Sequence, residues 1–146
     1  MSISGIGYEG MTLETFISKL RIRGIRVLVD VRLNAISRKR GFSKRALAEA
    51  LGEAGIAYVH LPTLGNQRDN RAGYGELESD LANEVRDRFR RELQSEAALK
   101  ALQEVADLAQ ADAVALFCYE QDEQHCHRQQ VLEGVQLLMA RDLVKL

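Results

Sequence analysis

The run Ala113-Val114-Ala115-Leu116-Phe117-Cys118 is apolar at every position. Such a stretch is expected of a strand covered on both faces. A strand of that kind needs an apolar layer above it and another below. It therefore restricts the chain to a sheet held between helices.

The rest of the chain supplies those layers. Leu13, Phe16, Ile17 and Leu20 lie at helical spacing behind Thr12, a capping residue, and Gly24 ends that helix. Residues 26–31 form a β-branched run that reads as a strand. Ser43 is expected to cap a second helix, with Phe42 and Leu47 as its hydrophobic staple and Gly52 or Gly55 at its end. Residues 3–8 and 56–61 read as further strands, the latter stopped by Pro62. Leu77, Leu81, Val85 and Phe89 mark one more helix, and Leu99, Leu102, Val105 and Leu108 mark another. Val131, Leu132, Val135, Leu138 and Met139 mark the last, and residues 143–146 are expected to add a terminal strand. Strands alternating with helices give an α/β fold. The expectation is three layers, with a mostly parallel sheet of about four or five strands and helices on both faces. Its 146 residues suit a single domain, 1–146. Sheets of this kind bind ligands beyond the carboxyl ends of their strands.

Composition narrows the function classes. A net charge of −1 does not point to nucleic acid or membrane by bulk attraction. Two cysteines are too few for a disulfide scaffold. No basic region followed by an apolar run opens the chain, so no signal peptide is expected, and no stretch approaches the length of a membrane span. The cytoplasm is the expected compartment, where both thiols stay reduced.

Chemistry-bearing residues gather where the strands end. Tyr8 and Glu9 follow the first strand, Asp30 and Arg32 close the second, and His60 closes the third. Cys118, Tyr119 and Glu120 close the fourth, with His125, Cys126, His127 and Arg128 just beyond. In a parallel sheet these groups share one rim, as a catalytic site requires. Any loop begins with polar residues, so the triplet Cys126, His127 and Arg128 carries more weight than single positions. Cys126 precedes the last helix, whose N-terminal N–H groups would lower its pKa, with His127 and Arg128 adding to that effect. An activated thiol beside a histidine is a nucleophile. Arg128 would equally clamp a phosphate. Cys118, ending a buried run, is expected to be packed and inert.

Sharper motifs fail. No arginine lies six residues after either cysteine, as a phosphatase or rhodanese loop requires, and no G-K-[ST] exists. Cys118, Glu120, His125, Cys126 and His127 carry ligating atoms but match no standard zinc spacing, so no metal site is assigned and no cofactor is required. Gly5-Ile6-Gly7-Tyr8-Glu9-Gly10 fits the dinucleotide fingerprint, with Asp30 twenty residues on. Too few residues precede it for a full strand, and Thr12 caps the helix too late, so dinucleotide binding is a minor alternative.

Arg32, Arg38, Lys39, Arg40, Lys44 and Arg45 occur with no acidic residue among positions 32–45. With Arg68 and Arg71 they would make the rim positive, either as a solvated face or as a surface for phosphate.

Several segments together resemble one family. They are Ile6-Gly7-Tyr8-Glu9-Gly10, Asp30-Val31-Arg32, Ser37-Arg38 with Gly41-Phe42-Ser43-Lys44, Tyr58-Val59-His60-Leu61-Pro62 with Leu64-Gly65, and Cys118-Tyr119-Glu120 with Cys126-His127-Arg128. In this order they resemble the domain-of-unknown-function family 488 (DUF488). Ala35 stands where the family often has proline, and Asn66 where a second glycine often follows Gly65. The resemblance implies an α/β architecture and leans toward nucleotide or nucleic-acid chemistry. The expected function is an enzyme acting on a phosphate-bearing substrate, a nucleotide or nucleic acid. Cys126, His127, Asp30, Glu120 and His60 would carry the chemistry, and Tyr8, Glu9, Arg32, Arg38, Lys44 and Arg128 would bind the substrate. The alternative is a non-catalytic nucleic-acid-binding module built on residues 32–45.

Overall fold

The computed structural model describes residues 2–144. Four strands form one parallel sheet: β1 (Ser2–Gly7), β2 (Val27–Asp30), β3 (Ala57–His60) and β4 (Ala113–Cys118), in the order β1-β4-β2-β3. Parallel neighbours need crossovers, and here each crossover contains helix. The helices are α1 (Leu13–Ile22), α2 (Lys44–Glu53), α3 (Asp80–Glu92), α4 (Glu96–Ala111) and α5 (Arg128–Val144).

The side-chain alternation of β4 explains the three layers. Val114, Leu116 and Cys118 enter one apolar cluster, with Phe89 of α3, Leu102 and Val105 of α4, and Val131 and Val135 of α5. Ala115 and Phe117 enter the opposite cluster, with Phe16 and Leu20 of α1 and Leu47 and Leu51 of α2. The apolar run is thus sandwiched, as its composition requires. The register aligns Gly7 with Cys118 and Asp30 with both Phe117 and His60, so all four strands end on one rim.

Several local expectations are corrected. Thr12 accepts from the Thr15 N–H and caps α1 as read. Ser43 stands at the α2 N-cap, but its hydroxyl makes no cap bond; Ser37 N–H donates to it at 2.9 Å, and it serves the preceding loop instead. Leu77 lies outside α3 and is exposed, because Ser79 caps the helix and the buried face is Ala82, Val85 and Phe89. Residues 143 and 144 continue α5 rather than starting a strand, and residues 145 and 146 lie outside the described residues.

The glycines that mimic a dinucleotide fingerprint have another cause. Gly5 and Gly7 lie inside β1, not in a turn after it. A Cβ at Gly7 would sit 1.9 Å from the Glu120 carbonyl oxygen, and one at Gly5 would sit 1.6 Å from Glu123 Oε1. Both are glycine because the loop after β4 lies directly on β1.

Candidate functional site

Asp30 ends β2 completely buried, and Arg32 folds back onto it. Arg32 Nε donates to Oδ1 at 2.9 Å and Nη2 to Oδ2 at 2.7 Å. Tyr58 donates to the same Oδ2 at 2.5 Å, and Arg32 Nη1 donates to the Phe42 carbonyl at 2.7 Å. Burial alone would lower the Arg32 pKa, but its bond to Asp30 and that carboxylate's charge outweigh this and raise it. The guanidinium also packs on the rings of Phe117 and Tyr8, 4.7 and 5.6 Å from their centroids. With every Asp30 oxygen occupied, this carboxylate orients Arg32 and holds the rim together.

A cavity of about 180 Å³ opens beside this pair. Its lining includes Tyr8, Arg32, Asn34, Asn66, Arg71 and Tyr74. Cys118, Glu120, Cys126 and His127 also line it, with Tyr119, His125, Leu33 and Ile36.

The cysteine wall has a defined proton arrangement. His127 is buried and lies edge-on to the Phe89 ring. Its Nε2 is 2.9 Å from the Val31 carbonyl. A carbonyl only accepts, so Nε2 carries the proton and Nδ1 presents a lone pair. Nδ1 faces the Cys126 sulfur at 3.6 Å. Burial pushes the His127 pKa down to about 4, against smaller upward effects of the Val31 bond and Glu120, so the ring is neutral. The Sγ atoms of Cys118 and Cys126 and a ring nitrogen of His127 all lie within 4.8 Å of one another.

This corrects the reading of Cys126. Cys126 is not an activated thiolate in the free protein. A hydrogen bond with Cys118 and burial raise its pKa well above the ordinary value, and they outweigh the Arg128 backbone N–H that donates to its sulfur at 3.5 Å. A neutral His127 adds no positive charge. Cys118 is packed in the apolar core as read, and it also lines the cavity, with Sγ 3.7 Å from Glu120 Oε2.

Arg128 is also corrected as an anion clamp. Its side chain is wholly buried, donating to the carbonyls of Glu120 at 2.9 Å and Gln121 at 3.5 Å. Its Nε is 3.4 Å from Glu123 Oε1. It fastens the loop after β4 and is absent from the cavity wall. His60 is half-buried and sits on the Arg32 carbonyl at 2.8 Å, outside the cavity. Glu9 is exposed and accepts from the Gln121 N–H at 3.1 Å. Arg38 and Lys44 are exposed and do not line the cavity.

Beside Arg71, the cavity also uses Asn66 and Tyr74, which the rim pattern did not single out. Asn66 and Asn70 are nearly fully buried and tie the loop from residue 63 to 75 together: Asn70 Nδ2 donates to Asn66 Oδ1 at 3.0 Å and to the Val85 carbonyl at 2.9 Å. Arg71 donates through Nε and Nη2 to the Asn66 carbonyl, at 3.1 and 2.9 Å. Tyr74 donates to Gln130 Oε1 at 2.5 Å, and its carbonyl meets His125 Nδ1 at 3.1 Å. Spacing alone could not say which of this loop's side chains turn inward.

The family described as a domain of unknown function, DUF488, matches residues 12–135. The chain belongs to the DUF488 family. The matched span carries most of the cavity wall, including Arg32, Arg71, Cys118, Cys126 and His127, and begins after the Gly5–Gly10 segment. No curated protein and no solved structure matches the chain. Among the described residues no helix is long and apolar enough to cross a membrane.

Proposed function

We propose that this DUF488 chain is an enzyme acting on a phosphate-bearing small molecule of nucleotide class, bound in the rim cavity against Cys118, Cys126 and His127. The observation that carries the reading is the convergence of two thiols, a neutral imidazole and Arg71 on one cavity beyond the strand ends. Arg71 replaces Arg128 as the group that receives the anion, because it reaches the cavity and is exposed. Arg32 adds a second donor surface, though Asp30 neutralises its charge. At about 180 Å³ the space is smaller than the roughly 300–1,000 Å³ of pockets that enclose drug-sized ligands. It suits a phosphate or one ring, with the rest of the substrate outside, and disfavours an enclosed dinucleotide. Reduced thiols favour a reducing compartment such as the cytoplasm.

Titrating the ¹⁵N-labelled chain with adenosine monophosphate tests this. Amide shifts should concentrate at Asn34, Arg71 and Tyr119. Their absence would overturn the reading.

A second reading rests on the basic loop. Arg38, Arg40, Lys44 and Arg45 are all exposed, and among the described residues none of them joins a salt bridge. This supports a nucleic-acid-binding surface whose affinity falls steeply with salt. Shifts confined to residues 38–45, obtained with an oligonucleotide and not with the nucleotide, would favour it.

A further inference from the structure

We propose that Cys118, Cys126 and His127 form a zinc site with one coordination position open to the rim cavity. This deepens the functional reading above only in assigning that open position to substrate; binding of the metal stands on the three side chains alone.

Three observations converge. The first is donor type and spacing. Two sulfurs and one imidazole nitrogen lie within 4.8 Å of each other, all on buried residues. Zinc bound at about 2.3 Å to sulfur and about 2.0–2.1 Å to nitrogen, in a tetrahedron, separates such atoms by about 3.6 Å. The Cys126 sulfur and His127 Nδ1 are 3.6 Å apart. The adjacent positions 126 and 127, which argue against a shared ion from sequence, therefore do converge.

The second is the support around the donors. The Val31 carbonyl takes the Nε2 proton of His127 at 2.9 Å, which fixes the ring and leaves Nδ1 as the ligating atom. Metal-bound histidines are held in this way. The Arg128 backbone N–H donates to the Cys126 sulfur at 3.5 Å and would stabilise it as a thiolate.

The third is the empty side. Three protein donors and an adjoining cavity match zinc sites that keep a place for water or substrate, whereas structural sites use four protein ligands. A disulfide between Cys118 and Cys126 would explain the two sulfurs but would leave the aligned Nδ1 facing them without a role. Two thiolates and a divalent cation also cancel in charge, which suits a buried position.

Binding balances as Zn²⁺ plus two thiols giving a neutral bis-thiolate centre and two protons released to solvent, with Nδ1 donating its existing lone pair. A zinc there would offer an open Lewis-acid position to a phosphate oxygen of the substrate beside Arg71.

The test is zinc titration of the full chain, kept reduced with a thiol-free reductant, against a chromophoric chelator. One zinc per chain should bind. Cys118→Ser and Cys126→Ser should each weaken it at least 100-fold, and His127→Gln at least 10-fold. X-ray absorption on the unmutated zinc-loaded chain avoids any folding defect of the variants and should give two sulfurs at about 2.3 Å and one nitrogen at about 2.0–2.1 Å. No stoichiometric binding, a shell without sulfur, or full affinity in both cysteine variants would overturn the proposal. A zinc-free chain that still shows nucleotide shifts at Asn34 and Arg71 while zinc fails to bind would remove the metal inference alone. Zinc bound through both sulfurs with no nucleotide response would remove the phosphate reading alone.

Discussion

Arg32 and Asp30 form a buried, two-point ion pair two residues apart in the chain, with Nη2 2.7 Å from Oδ2. Asp30 holds Arg32 where its side chain lines the cavity. Removing one partner of a buried pair typically costs about 3–5 kcal/mol, because the other charge stays buried alone. Asp30→Ala should therefore lower stability by about that amount in urea denaturation. Tyr58→Phe, which removes one bond to a charged acceptor, should cost about 1.5–3 kcal/mol. A loss below about 1 kcal/mol in Asp30→Ala would mean that the pair does not hold the rim.

The two β1 glycines should respond unequally to alanine. At Gly7 the new Cβ meets the Glu120 backbone, which cannot move without shifting the loop after β4. At Gly5 its nearest obstacle is the end of the Glu123 side chain, which can swing away. Overpacking costs about 1–3 kcal/mol. Gly7→Ala should fall at or beyond the upper end and Gly5→Ala near the lower end, read from the shift in thermal midpoint. Equal losses would contradict the close approach of Glu120 to β1.

Arg71 and Arg128 should separate binding from stability. Arg71→Ala should weaken adenosine monophosphate at least 10-fold and change stability by under about 1 kcal/mol, since the residue is exposed. Arg128→Ala should destabilise by about 3 kcal/mol or more, because it empties a wholly buried side-chain position and removes the anchors to the Glu120 and Gln121 carbonyls. Calorimetry and urea denaturation on both variants check the contrast; the reverse pattern would restore Arg128 as the anion clamp.

In the metal-free chain, His127 should make stability fall with acid. Its folded pKa, about 4, lies below the ordinary 6.5, so the unfolded chain binds the extra proton first. Stability from this group is complete above pH 6.5 and is lost as pH falls from 6.5 toward 4. The full difference corresponds to about 3 kcal/mol. The stability gap between the parent chain and His127→Gln should shrink over that window, and a gap independent of pH would contradict a neutral buried ring.

Much of the fold was legible because its signals are local. The apolar run 113–118 can be satisfied only between two layers, and the periodicities of residues 13–20 and 99–108 mark helices by themselves. Leu77 misled because it continues an i, i+4 series past a stronger cap at Ser79. The rim was legible in outline, since parallel strands put their ends together. The roles of its members were not. Whether Arg128 faces a ligand or the Glu120 carbonyl depends on how the loop after β4 folds onto Gly5 and Gly7, a long-range contact with no local signature. Cys126 likewise holds its proton more tightly only once the chain brings Cys118 against it.

The chemistry assigned to the cysteine wall depends on the lone pair of His127 Nδ1 facing the two thiols. A ¹⁵N imidazole spectrum of the histidine-labelled, reduced, metal-free chain at neutral pH reads that directly. The expected result is a neutral His127 with its proton on Nε2 and a bare Nδ1. A proton on Nδ1, or a fully protonated ring, would contradict the account.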